Sequence, residues 1–224
     1  MPNVSDRDGK EAEIMKVLAR EFNRARLQLL GLIPDLEPWM VDVAPEFWDE
    51  HQTKLIGGLS PALSGVYTAQ AEAMMAEFDF LGVEWGLINE GAADWARRYT
   101  YDLVSNLTST SRRTLQKLIP QYFEQQWNQG QLRQQLEPTF GQLRAEMIAR
   151  TEVTRAASEG EQETARQLAN EGITMKPIHQ TRNDEIVCPI CGPRHDKEIT
   201  DQDEYPPLHP RCRCWVIHEM VLED

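Results

Sequence analysis

The sequence predicts an α+β protein: a mostly helical N-terminal region followed by a small C-terminal α+β module stapled by a zinc ion. Three observations predict it. Apolar residues recur at three- and four-residue steps from Glu11 to Leu168, the spacing of one helix face. No cysteine occurs before residue 188, and all four fall within Cys188–Cys214, whereas a core-filling role would scatter them. Beyond Gly172 the helical spacing gives way to short β-prone pieces among prolines and histidines.

The elements follow in order. Ile14, Val17, Leu18, Phe22, Ala25 and Leu29 share one face of a first helix starting near Glu11, which Gly31 and Pro34 should stop. Residues 34–50 carry Pro34, Pro38 and Pro45 with Trp39, Phe47 and Trp48, and read as an ordered connector anchored by aromatics. Ser60-Pro61 has the form of an N-cap and first helical residue, opening a second helix through Leu63, Val66, Tyr67, Met74, Phe78 and Leu81. A third starts near Glu84, with Trp85, Ile88, Ala92, Trp95 and Tyr99 on one side. The run Leu107-Thr108-Ser109-Thr110-Ser111 reads as a polar break before a fourth helix, which Pro120 should kink or split. A short helix over Leu132–Leu136 precedes a long one from Gln142, with Gly172 as its C-cap. Strand pieces are expected at Ile173–Met175, Ile186–Val187, Glu198–Thr200 and Trp215–Ile217. The division is then a helical region 1–106, a helical stretch 107–172 and the zinc module 173–224.

Composition narrows the function. At 41% hydrophobic and 26% charged residues the chain is that of an ordinary globular protein. Its formal charge of −13 does not attract nucleic acid over the whole surface, so contact with DNA would be weak and would need a local basic patch. Arg97-Arg98 and Arg112-Arg113-Lys117 are the candidates, with a solvated helix face as the simpler reading. No run of eighteen apolar residues offers a membrane span, and the first residues do not read as a secretory leader. Cysteines in a reducing compartment favour metal ligands over disulfides.

The cysteines form a pattern with chemistry in it. Cys188-Pro189-Ile190-Cys191-Gly192 is a Cys-x-x-Cys turn, which brings two sulfurs about 3.5–4 Å apart, as a tetrahedral zinc requires. Leu208-His209-Pro210-Arg211-Cys212-Arg213-Cys214 supplies three further donors, and one turn of chain can unite His209 with Cys212. The ligand set is either Cys188, Cys191, Cys212 and Cys214, or Cys188, Cys191, His209 and one of Cys212 or Cys214. Either set fills four positions, which points to a structural rather than a catalytic metal. Buried free thiols and a redox dithiol are the competing readings. A segment of about fifty residues rarely folds on its own core, and a structural metal offsets that deficit. His179, His195 and His218 are candidate extra ligands or bases. Arg150-Thr151-Glu152, with Glu146 and Arg155 at helical spacing, reads either as surface ion pairs or as a network against the zinc module. Trp39, Trp48, Trp85 and Trp95 read as core or interface groups.

Three motifs carry a family resemblance: Arg144 to Glu152, Asp184 to Cys191, and Pro206 to Cys214. In this order and spacing the chain resembles the phage Mu F-like minor head proteins, also described as head morphogenesis proteins, over roughly residues 107–217. Two positions depart from the family's habit: His179, where a tryptophan is frequent, and His195-Asp196, where an aspartate–glycine pair is frequent. The resemblance implies a non-enzymatic minor capsid protein of a tailed phage or prophage. It implies the portal protein and other head proteins as partners, an effect on DNA packaging or ejection, and residence in the host cytoplasm during assembly and then in the virion. The alternative from a different class is a metal-dependent nuclease of the phage head, with Asp184, His195, His209 and His218 as its candidate groups.

Overall fold

The N-terminal residues, polar in sequence, are helical because the far end of the chain receives them. In the computed structural model, which describes residues 4–78, 88–182, 184–200 and 203–221, helix α1 runs Val4–Leu32. Its start precedes the expected Glu11. Arg7 donates to the Cys214 carbonyl at 3.3 Å, Asp8 meets Arg182 at 3.3 Å, and Glu11 meets Arg150 at 3.2 Å. Further along, Ile14, Leu18, Phe22, Ala25 and Leu29 are buried on the expected face. Gly31 stays inside the helix, and a 3-10 turn at Ile33–Asp35 closes it.

Helix α2, Pro45–Glu77, begins earlier than the sequence suggests. Pro45 occupies the first helical position after Ala44, and Ser60-Pro61 lies in the interior rather than at a cap. The missing Pro61 N–H removes one helical hydrogen bond. The apolar face runs straight through it, with Leu55, Leu59 and Leu63 fully buried, so packing overrides the local signal. The connector before it is pinned by Asp42, whose carboxylate accepts from Val43 N–H at 2.9 Å, Trp48 Nε1 at 3.0 Å and Gln116 Nε2 at 3.1 Å, and pairs with Arg112. Phe47 and Trp48 are buried as anchors, but Trp39 is 77% exposed.

Helix α3 spans Ile88–Glu124 without the expected break at 107–111; the expected start at Glu84 and Trp85, and Leu81, lie outside the described residues. Ser111 Oγ donates to the Leu107 carbonyl at 2.8 Å and Thr114 Oγ1 to the Thr110 carbonyl at 3.0 Å, so hydroxyls bond back along the helix instead of capping it. This polar stretch receives a half-buried cation. Arg144 donates to Ser111 Oγ at 2.8 Å and to the Thr139 carbonyl at 2.7 Å, while its guanidinium lies over the Phe22 ring. Pro120 is accommodated near the helix end.

Helix α4, Gln129–Phe140, is longer than the expected short helix because Asn128 and Gln131 form a reciprocal capping box. Helix α5, Gln142–Asn170, starts where the sequence indicates. It ends at Gly172, whose φ of +81° suits glycine, with Ile173 N–H returning to the Leu168 carbonyl at 2.9 Å. Helix α2 packs against α1, α3 and α5, and α5 also packs on α1. The α2–α5 crossing is close: a Cβ on Gly160 would stand 2.4 Å from the Tyr67 carbonyl oxygen.

A three-stranded antiparallel sheet completes the fold, ordered β2-β1-β3, with β1 at Met175–Gln180, β2 at Lys197–Glu198 and β3 at Trp215–Met220. The expected strand at Ile186–Val187 is instead part of a turn, fixed by Val187 N–H on the Asp184 carbonyl at 3.1 Å. The register sets His179 opposite Val216 on one side and Lys197 on the other. The sheet leans on α5.

Candidate metal centre

Two loops present the donors. In the first, Cys191 N–H and Gly192 N–H both reach the Cys188 carbonyl, at 3.2 and 2.9 Å, and Cys191 N–H also points at Cys188 Sγ at 3.4 Å. A tight turn with amide hydrogens facing sulfur is what a Cys-x-x-Cys pair needs to present two thiolates to one cation. In the second loop, Cys212 N–H returns to the His209 carbonyl at 3.2 Å, and Arg211 takes a left-handed φ of 64° that turns the chain.

Helix α5 holds the second loop from beneath. Thr151 Oγ1 accepts from Arg211 N–H at 3.0 Å while donating to the Met147 carbonyl, and Thr154 Oγ1 donates to the Cys212 carbonyl at 2.9 Å. Asp184 and Arg213 form a two-pronged pair, at 2.9 and 3.0 Å, that ties the loops together. The motif Arg150-Thr151-Glu152 is therefore a network rather than a free surface. Arg150 reaches Glu11 on α1, Thr151 reaches the second loop, and buried Glu152 accepts from Tyr99 on α3.

Of the five donors expected from the sequence, Cys188, Cys191 and His209 form one group, Cys212 touches Cys191, and Cys214 joins Cys191 in a second group. Cys188 Sγ and Cys191 Sγ lie 3.0 and 3.2 Å from His209 Nε2, and Cys191 Sγ lies 3.9 Å from Cys212 Sγ. Around a tetrahedral zinc, sulfur–sulfur and sulfur–nitrogen edges are about 3.8 and 3.5 Å, so Cys188, Cys191 and His209 fit three positions of such an ion with small adjustments, with Cys212 beside Cys191. His209 Nδ1 sits 2.8 Å from the Pro210 carbonyl. That contact takes the Nδ1 proton and leaves the Nε2 lone pair facing the sulfurs, the usual outer partner of a metal-bound imidazole. All four cysteines are free, and Cys191, Cys212 and Cys214 are buried.

The electrostatics suit a cation. Hydrogen bonding from Cys214, against the cost of burial, pulls the Cys212 thiol down to about 5. Burial pushes Cys191 up to about 12, and the bond to Cys212 together with burial pushes Cys214 up as well. Thiols packed this closely cannot all ionise against one another, and a dication removes that conflict.

One residue joins the cluster that spacing alone did not single out. His179, on the central strand, has ring nitrogens within 4.8 Å of the Cys191 and Cys214 sulfurs, forming a second triad beside Cys188, Cys191 and His209. The sequence named it only beside His195 and His218, as a candidate extra ligand or base. The remaining candidates stand apart, and neither triad contains Asp184, His195 or His218. Asp184 is committed to Arg213, His195 Nδ1 accepts from Thr181 N–H at 3.2 Å, and burial holds His218 down to about 4. In the basic patches, Arg112 pairs with Asp42 and Arg97 with Asp94.

Fold and site together define a helical protein carrying, on its last long helix, a small sheet module with a cysteine–histidine cluster that could hold a metal ion. Residues 113–217 match the family model described as Phage Mu protein F like protein, so this segment of the chain is similar to that family. Neither a search of curated proteins nor a search of solved structures gave a match. No helix among the described residues is long and apolar enough to cross a membrane.

Proposed function

We propose that this chain is a structural, non-enzymatic component of phage head morphogenesis that docks on the portal or neighbouring head proteins, with its C-terminal module stiffened by zinc. The match of residues 113–217 to the Mu F-like family carries this reading. That family is generally structural rather than catalytic. The matched segment spans the end of α3, α4, α5 and both donor loops. Zinc bound by Cys188, Cys191 and two of His209, Cys212 and Cys214 would contribute folding energy and rigidity, on the order of 10 kcal/mol in small zinc peptides. The polar groups around it hold loops in place: Thr151 and Thr154 support the second loop, and Arg213 fastens it to the first.

Among the described residues, only His209 of the four nuclease candidates joins a donor triad, beside two thiols, while Asp184, His195 and His218 join neither. For docking, the exposed Trp39, Met40 and Val41 on the connector form the apolar surface best suited to a protein partner. The test mixes the purified full chain with the portal ring of its own phage and follows association by sedimentation. Association weakened by Trp39→Ala supports docking; no association under head-assembly conditions overturns it.

A further inference from the structure

The cluster holds more donors than one tetrahedral ion accepts. Four thiols and two imidazoles crowd together, in two triads that meet at Cys191. One triad is Cys188, Cys191 and His209; the other is His179, Cys191 and Cys214. Cys212 lies 3.9 Å from Cys191, the residue the two triads share, and belongs to neither triad as the side chains stand. A single zinc takes four of these six and leaves two buried groups without a ligand to bind.

His179 is the group such an arrangement leaves stranded. It is 2% exposed, and among the described residues neither of its ring nitrogens has a hydrogen-bond partner. A buried imidazole with both nitrogens unsatisfied is costly, and proteins seldom leave one so. Its position is not loose. Strand pairing fixes it from both sides, opposite Val216 and Lys197, and the Asp196 N–H donates to its carbonyl at 2.9 Å. Cys214, just before β3, lies within 4.8 Å of a ring nitrogen of His179.

We infer that the module binds two divalent ions, with His179 as a ligand of the second. The inference rests on the metal-binding reading proposed above. Cys188 and His209 are terminal ligands of one ion, His179 and Cys214 of the other, and the Cys191 and Cys212 thiolates are shared between them. Each ion then has four donors, and no cysteine or histidine of the cluster is left over. Charge closes as well. Four thiolates carry −4 and two dications carry +4, so a neutral group is buried, whereas one dication with four thiolates would bury a net −2.

The test is metal stoichiometry on the full chain expressed with zinc, by native mass spectrometry and elemental analysis. Two zinc ions per chain are expected, with His179→Ala reduced to one. One zinc in the unsubstituted chain, or two retained in His179→Ala, overturns the inference and leaves the single-site reading standing. No zinc at all overturns both. Should His179→Ala fail to fold, cobalt titration of the unsubstituted chain decides: sulfur-to-cobalt absorption rising to two equivalents supports the shared-thiolate pair, and saturation at one equivalent overturns it.

Discussion

The helical body and the C-terminal module are held together by different physics. The body has one continuous apolar core drawn from all five helices, from Ile14 on α1 to Ala157 on α5. The apolar cluster of the module is Cys191, Cys212 and Cys214, with Val187, Cys188 and Leu208 against it. The body loses stability when atoms leave the core. The module has little core to lose and depends on its donors and on the bonds that fasten it to α1 and α5. On the proposed metal-binding reading, a small sheet is rigid without being large because a cation and a helix supply what its own side chains do not.

That contrast can be broken, and the largest effect should come from the donors themselves. Cys191→Ser removes the sulfur common to both triads. It is expected to abolish metal binding and to disorder the two loops while far-ultraviolet helicity stays near its original level; a parallel collapse of helicity would erase the distinction. The next effect belongs to the body alone. His51 is 1% exposed among Phe22, Phe47, Trp48 and Phe140, and burial lowers it to about 4. A base depressed in the folded state contributes full stability above its ordinary value of 6.5 and loses it as pH falls through 4. Helicity should therefore become easier to melt over that interval, by up to about 3 kcal/mol. In His51→Leu the fall should be shallower, as read by urea melts at successive pH values. An unchanged slope would remove His51 from the account. The smallest effect lies at the seam. Thr154→Val leaves the Cys212 carbonyl without its helix donor and should loosen the second loop by about 1–2 kcal/mol, visible as weaker metal affinity with unaltered body stability.

How much of this was legible in sequence follows the same division. The buried face of α1, the start of α5 and its glycine stop were readable, because helical periodicity and capping are local. The two donor-bearing loops, Cys188–Cys191 and His209–Cys214, were readable because the spacing within each is local; how the donors group across them was not. What escaped depends on partners far along the chain. Ser60-Pro61 has the form of a helix start, and only the buried leucines on both sides of it reveal an interior. The polar run at 107–111 resembles a break until Arg144, from another helix, is seen to occupy it. The early start of α1 depends on Cys214, Arg182 and Arg150. His179 joins the cluster only through strand register, which spacing does not encode.

The most direct test of the central claim is hydrogen exchange, read by mass spectrometry on the full chain before and after a strong chelator. The account predicts stoichiometric metal beforehand, and after its removal faster exchange across 184–200 and 203–221 with the helices of the body still protected. Purified protein free of metal, with exchange in those segments unaltered by the chelator, would contradict it.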